Sequence, residues 1–152
     1  MESTKAEMEK GDRLQASEKA WGALAQQLKA IGAARGWFHA SHAHVREIGI
    51  QIGYEHNSPR IIDFTHQGLE LHVNFYENNV SPSRVAAIIG GIESLLDDLE
   101  TLCTAPPRPY TVNSQVDARR IQLLTGQPVN VGDSSPAGFV MRDPTTAMDG
   151  NG

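Results

Sequence analysis

Three histidines lie in one short stretch of the chain, at His39, His42 and His44. Imidazole is the commonest protein ligand for metal ions, and imidazoles near the start of a helix can share one ion. Glu47 or Glu77 could add a carboxylate to such a site. The alternative is structural, with His39 and His42 capping or packing their loop. Because the sequence contains no Glu-x-x-His motif of the kind found in di-iron bundles, these histidines remain weak candidates, and we expect neither a metal nor a cofactor.

A second group of polar side chains interrupts a strongly apolar segment: His72, Asn74, Tyr76 and Glu77. Buried polar groups need hydrogen-bond partners, so some of these side chains must find them in or near the core. One hypothesis is a ligand-binding pocket that faces Lys19 or Lys29. The other is a set of structural hydrogen bonds that tie this segment to the first helix.

The elements that carry these residues follow from the spacing of apolar side chains. Helical spacing runs through about residues 3–34 and stops at Gly36, a residue that closes many helices. Residues 43–54 fit both a helix and a strand, and residues 61–76 predict a helix buried on several sides. Ser81 and Pro82 then begin the strongest helix. Its interior Gly90-Gly91 pair indicates either a bend or, as we favour, a close approach to a neighbour.

The composition changes after Thr104, where prolines at 106, 107 and 109 rule out a helix. Ser114 and Asp117 resemble a capping box, which predicts one short helix at about residues 115–125. The remainder is rich in Gly, Pro, Ser, Asp and Asn and predicts an irregular chain. We therefore divide the protein into a helical bundle, residues 1–104, and a Pro/Gly-rich C-terminal extension, residues 105–152.

Charge and hydropathy limit the classes of function. Residues 1–103 contain nine Lys and Arg against fourteen Asp and Glu, a net charge of -5, whereas residues 104–152 contain four of each. An acidic surface repels phosphate backbones, so extensive binding to RNA or DNA is disfavoured. No apolar run reaches the roughly 18 residues of a membrane span, and residues 1–13 lack the apolar stretch of a secretory signal. The single Cys103 excludes an internal disulfide. These features predict a cytoplasmic protein with no membrane association.

Several separated motifs, in order, resemble the PaREP1-type HEPN-like domain family over about residues 6–103. They are ASEKAWGA at 16–23, LKA at 28–30, Gly36-Trp37 with the histidines of 39–42, LHVNFYE at 71–77, and Ser81-Pro82. The resemblance implies an all-α fold, an up-and-down four-helix HEPN-like bundle, and makes residues 43–54 a helix. It also implies a homodimer, which is common among HEPN proteins. The extended C-terminal tail is not covered by it.

The resemblance also implies a search for the ribonuclease signature of many HEPN proteins, an Arg followed after four to six residues by His. Such a pair performs acid-base chemistry on a 2'-hydroxyl and stabilises charge on the phosphate. Two pairs match, Arg35 with His42 and Arg60 with His66, which is about what chance supplies. Arg60 is followed by the apolar Ile61, and the strongest helix, where the signature usually lies, contains no His. The sequence therefore leans against an enzyme.

The leading hypothesis is a non-catalytic interaction or assembly protein whose tail docks on a partner protein or on its own dimer mate. The expected docking residues are the apolar side chains of the tail: Ile121, Leu123, Leu124, Phe139, Val140 and Met141. One alternative is a HEPN-type ribonuclease or RNA-binding protein, in a toxin or defence setting. The other is a metal or small-ligand binder that uses the central histidines.

Overall fold

The computed structural model describes residues 2–77, 79–136 and 138–140, with side chains described from residue 9 onward. This part of the chain is mostly helical, as the sequence predicts. Its elements are α1 (Glu2–Ala34), α2 (His42–Glu55), α3 (Pro59–Asn74), α4 (Pro82–Thr104), β1 (Tyr110–Thr111), α5 (Gln115–Thr125) and β2 (Ser134–Ser135).

Serine caps determine where four of the helices begin. The hydroxyl groups of Ser41, Ser58, Ser81 and Ser114 each accept a hydrogen bond from a backbone N–H in the first turn of the helix that follows. Residues 43–54 fit both a helix and a strand in the sequence. The cap at Ser41 begins a helix there, so this segment is the helix α2. Pro59 and Pro82 occupy first-turn positions, where the missing N–H has no cost.

The first four helices form the bundle, with short loops between consecutive helices. α1 and α3 each pack against the other three, so α2 and α4 lie on opposite sides of the α1–α3 pair. Between them lies one apolar core, in which the largest fully buried side chains include Trp37, Leu24, Leu28, Ile48, Ile52, Ile92 and Leu95. The all-α prediction is confirmed.

The Gly90-Gly91 pair of α4 divides into two different environments. A Cβ at Gly91 would overlap the Phe64 ring of α3, with the ring carbon Cε2 at 2.9 Å, whereas a Cβ at Gly90 would meet no described atom within 4 Å. The close approach expected for the pair therefore holds at Gly91 alone.

The C-terminal extension folds back onto its own bundle. α5 packs against α2, and its Leu124 is fully buried in the main core. Around α5, a second apolar cluster joins Val112, Ala118, Ile121 and Val129. β1 and β2 pair antiparallel, with Tyr110 opposite Ser135. The sequence predicts a mostly irregular tail and missed this pairing, because strands of two residues are too short to show an alternating pattern.

No helix in the part of the chain that the structure describes has the length and apolar character needed to span a bilayer.

Candidate functional site

Five charged or polar side chains, each 7% exposed or less, are buried where α5 meets α2 and the end of α1. We call this group the polar joint: Arg35, Gln51, Glu55, Asp117 and Arg120. Arg35 Nη1 lies 3.0 Å from Glu55 Oε1 and donates to Oε2 at 3.2 Å. Gln51 Nε2 donates to Glu55 Oε2 at 3.0 Å, and Arg120 Nε donates to Gln51 Oε1 at 2.8 Å. Gln51 therefore connects the ion pair of the bundle to the arginine of α5.

Asp117 completes the joint on the side of α5. It forms an ion pair with Arg120, and its Oδ2 accepts hydrogen bonds from Tyr110 Oη at 2.9 Å and from the Asn113 backbone N–H at 3.2 Å. Burial alone would raise the pKa of Asp117, but the hydrogen bonds from Arg120, Asn113 and Tyr110 hold it below the ordinary value of 3.8. Burial, followed by donation to Asp117, raises the pKa of Tyr110 to about 12. The phenol is therefore a hydrogen-bond donor at neutral pH.

The polar joint contains two arginines and two carboxylates, so its formal charge is zero. Glu55 Oε1 accepts no well-directed hydrogen bond from the described residues, although it lies 3.0 Å from Arg35 Nη1. Because the other charged groups are paired with one another, this arrangement suits attachment of one segment to another better than binding of a ligand. Removing one member of such a buried pair leaves an uncompensated charge.

The loop between α1 and α2 holds the other end of the extension. Trp37 Nε1 donates to the Phe139 carbonyl at 2.8 Å, and the Phe38 backbone N–H donates to the Leu124 carbonyl at 2.9 Å. The Arg35 guanidinium lies 5.0 Å from the centroid of the Trp37 ring. The extension is thus attached through the polar joint, the core and this loop.

Attachment of α5 leaves its outer side exposed. Val116 is 66% and Leu123 42% exposed, and on α2 Tyr54 is 51% exposed beneath the Arg120 guanidinium, which lies 4.8 Å from its ring centroid. A groove of about 250 Å³ runs between the two helices and includes Glu47 and Arg119. We call Tyr54, Val116, Leu123, Glu47 and Arg119 the α5 surface patch.

A separate cluster brings together two histidines from the sequence candidates. The rings of His42 and His72 lie 5.3 Å apart edge to face, and Trp21 of α1 stacks on His72 at 5.8 Å. His72 Nδ1 lies 2.7 Å from Glu18 Oε2, with both side chains partly exposed. The contact ties α3 to α1, as the structural hypothesis for His72 expects.

The other two histidines of the loop have different neighbours. His39 Nδ1 lies 2.9 Å from the Trp37 carbonyl, and His44 Nδ1 lies 2.9 Å from Ser41 Oγ. His39, His42 and His44 therefore do not converge on one point. Within the described ranges, no group of three or more His, Cys, Asp or Glu side chains is arranged to hold a metal ion.

The two Arg–His pairs are engaged separately. Arg35 is buried in the polar joint, while His42 is exposed beside Trp21. Arg60 Nη1 donates to Asp98 at 3.0 Å and lines a cavity at one end of α3 and α4, whereas His66 lines a different groove. Arg60 and His66 therefore line different cavities.

The remaining ligand candidates are also dispersed. Asn74 donates to Glu70 on its own helix at 3.0 Å, and Tyr76 lies under Lys10 rather than beside Lys19 or Lys29. Glu77 and Lys19 are exposed. The structure thus brings no single pocket together from this group.

A comparison with known protein families matches one family model, over residues 1–96. The chain belongs to the archaeal PaREP1/PaREP8 family. No curated protein and no solved structure matches it. The PaREP1/PaREP8 match covers α1 to α3 and most of α4, so it includes Arg35, Gln51 and Glu55 but ends before Asp117 and Arg120. The extension meets the PaREP1/PaREP8 region at the polar joint.

The expected docking residues of the tail are divided by the fold. Ile121 and Leu124 are buried within this PaREP1/PaREP8 chain itself, which corrects their assignment as residues for a partner, since the bundle and the extension already cover them. Phe139 is half-buried against the second cluster, and Leu123 and Val140 are exposed. Met141 lies outside the described residues.

Sequence reasoning named Arg35 and Asp117 for other roles and did not predict that the five residues of the polar joint meet. Gln51 and Glu55 lie four residues apart on one face of α2, among apolar neighbours, and that spacing was the available signal. Their partner Arg120 lies 69 residues beyond Gln51, too far for any local pattern to indicate the pairing.

Proposed function

We propose that the protein is a non-catalytic helical assembly protein that forms a homodimer through the α5 surface patch. The observation that carries the proposal is the rigid attachment of α5 with Val116 and Leu123 left exposed. Only the outer side of the extension remains open to a second copy, since its inner side is used by its own bundle.

The composition of the patch suits a protein interface. Exposed apolar side chains flanked by Tyr and Arg are typical of the centre of such interfaces, where these two residue types are enriched. Val116 and Leu123 are two turns apart on the same side of α5, and Tyr54 extends the surface across the groove onto α2. Burial of such side chains contributes roughly 25 cal/mol per Å² of apolar surface.

The charges in the groove favour a second copy as the partner. Glu47 and Arg119 line opposite walls, one on α2 and one on α5. In a two-fold contact the same patch of both protomers meets, so a pair between Arg119 of one protomer and the partner's Glu47 would form twice, once on each side of the axis. Glu47 already lies 3.6 Å from Arg46 in a partly exposed ion pair. Such pairs contribute little stability, so Glu47 can exchange this partner for one across the interface.

The positions of the arginines support a function without catalysis. The buried ion pair of Arg35 and the contacts of Arg60 with Asp98 and Ser94 occupy the two side chains that a ribonuclease would aim at a phosphate. The ribonuclease alternative would need one of these to be released. The hydrogen bonds of His39 and His44 use Nδ1 and leave Nε2 available, so the metal alternative would instead need these side chains to converge on one ion, an arrangement absent from the described residues.

Val116→Asp tests the proposal, with Val73→Asp as the matched control. Both valines are exposed on helices, at 66% and 57%, but Val73 lies on α3. Sedimentation velocity over a range of concentrations should show a dimer for the wild type and Val73→Asp, and a shift to monomer for Val116→Asp. A wild type that stays monomeric at every concentration, or a Val116→Asp variant that dimerises normally, would refute the proposal.

A further inference from the structure

A cavity of about 160 Å³ lies between α1, α3 and the loop that leads to α4. Its polar lining includes Lys10, Arg13, Tyr76 and Asn79, and its apolar lining includes Leu71 and Phe75. None of its lining residues belongs to α2 or α5, so it is separate from the α5 surface patch.

The charge of this cavity is opposite to that of the molecule. The chain has a net charge of -5, yet two cations and no carboxylate line the cavity among the described residues. Lys10 and Arg13 lie one turn apart on the same side of α1, and neither has an ion-pair partner in the described part of the chain. Two cations held together in an acidic protein, at a concave surface, indicate a site for an anionic group.

Apart from Asn79, the rest of the lining is apolar or aromatic. Leu71 and Phe75 are buried, and the Tyr76 ring lies 4.8 Å from Lys10 Nζ. A fully hydrated inorganic ion would leave the exposed ring of Tyr76 unused, whereas an anion with an apolar body would cover it. The ligand should therefore combine an anionic group with an apolar body.

The loop residue at the rim adds an independent observation. Asn79 has a φ of 51°, in the left-handed region that few residues other than glycine adopt, with Asn among the most tolerant. This conformation turns the loop and places Asn79 at the rim of the cavity.

An adjacent groove provides room for the body of the ligand. This groove, of about 380 Å³, shares Leu71 and Val80 with the cavity and also includes Arg84. Glu70 lies in the groove rather than in the cavity, which places the anionic end of a ligand next to Lys10 and Arg13.

We infer that this cavity binds a small amphipathic anion, a phosphate monoester or carboxylate carried on a compact apolar or aromatic group. The anionic oxygens accept hydrogen bonds from Arg13 and Lys10, and the apolar group covers the exposed ring of Tyr76.

Isothermal titration calorimetry of the full chain tests the inference with four probes: phenyl phosphate, 3-phenylpropionate, inorganic phosphate and phenol. We expect saturable binding of one equivalent of phenyl phosphate or 3-phenylpropionate, and the tighter of the two identifies the anionic group. Loss of a charge-assisted hydrogen bond should weaken binding by about ten-fold or more in Arg13→Gln. Lys19→Gln removes an exposed cation of the same helix and should leave the affinity unchanged.

Thermal unfolding of the variants confirms that they are folded before titration. Absence of binding by both organic anions would overturn the inference, as would equal affinity of wild type and Arg13→Gln. If inorganic phosphate binds as tightly as phenyl phosphate, the proposed contribution of the apolar group to binding is refuted. If phenol binds as tightly as phenyl phosphate, the proposed contribution of the anionic group is refuted.

Discussion

At the scale of single residues, the most informative feature is the set of buried charges that joins α5 to the bundle. Arg120 forms contacts to Gln51, Asp117 and Tyr110, which come from α2, α5 and β1. A guanidinium suits this position because its planar fork presents several donors in fixed directions. The charge of Arg120 is balanced within the polar joint. Burying this charge therefore costs little free energy only while every partner is present.

Arg120→Ala should therefore lower the free energy of unfolding by about 3–5 kcal/mol, since Asp117 would be left as a buried, unpaired carboxylate. Arg84→Ala is the control, because Arg84 is exposed and should change stability by no more than about 0.5 kcal/mol. Urea denaturation followed by circular dichroism measures both. Equal stability of the two variants would show that the joint contributes nothing.

His56 provides a test of pH dependence at the same end of α2. Burial, and then the charges of Arg108 and Arg35, lower the pKa of His56 from 6.5. A histidine whose pKa is depressed in the folded state favours folding above pH 6.5, where it is neutral in both states. That contribution is lost as the pH falls through the folded-state pKa, because the unfolded chain takes up the proton more readily.

We therefore expect the wild type to lose thermal stability between pH 7 and pH 5 more steeply than His56→Gln does. Scanning calorimetry at several pH values measures the difference in slope. A His56→Gln variant with the slope of the wild type would contradict the assigned pKa direction. Asp117, with its lowered pKa, should add a further loss only below about pH 3.8.

At the scale of elements, the sequence predicts most of the helices because their signals are local. Ser81 and Ser114 identify their helix starts, and apolar spacing identifies the buried face of α4. The secondary structure of α2 was ambiguous in the sequence, because the spacing of its isoleucines fits both a helix and a strand. Its cap at Ser41 and its contacts with α3 and α5 determine the outcome.

The two glycines of α4 offer a matched pair of substitutions. Ala at either position gains the same helix propensity, about 1 kcal/mol relative to Gly. Only Ala at position 91 would overlap Phe64, and overpacking of this kind costs about 1–3 kcal/mol. The free energy of unfolding of Gly91→Ala should thus be lower than that of Gly90→Ala by about 1–3 kcal/mol.

Chemical denaturation of the two glycine variants measures the difference directly. Gly90→Ala should also exceed the wild type in stability, because the position is open to solvent. Equal stability of the two would mean that α3 and α4 are not in close contact at Phe64.

At the scale of the whole molecule, the candidate surfaces depend on contacts that the sequence does not reveal. Ile121 and Leu124 fit an amphipathic helix, but only the fold shows that its apolar side faces its own α2 and core. Arg35 and His42 are close in sequence, yet one is buried in the polar joint and the other is exposed. Local spacing predicts which residues share a helix face, but not which distant element covers that face.

The attachment of α5 also connects the family match to the proposed function. Residues 1–96 match the PaREP1/PaREP8 model, and α5 lies beyond them, seated on Gln51 within the matched region. We expect the bundle to supply the scaffold and the extension to supply the surface particular to this chain.

The proposed dimer is tested most directly by exchanging the two charges of the groove, Arg119 and Glu47. Sedimentation velocity of wild type, Arg119→Glu, Glu47→Arg and the double variant should show that each single change weakens dimerisation, because like charges then face each other across the two-fold axis. The double variant should regain the affinity of the wild type. A wild type that remains monomeric, or a double variant no tighter than the single variants, would contradict assembly through this surface.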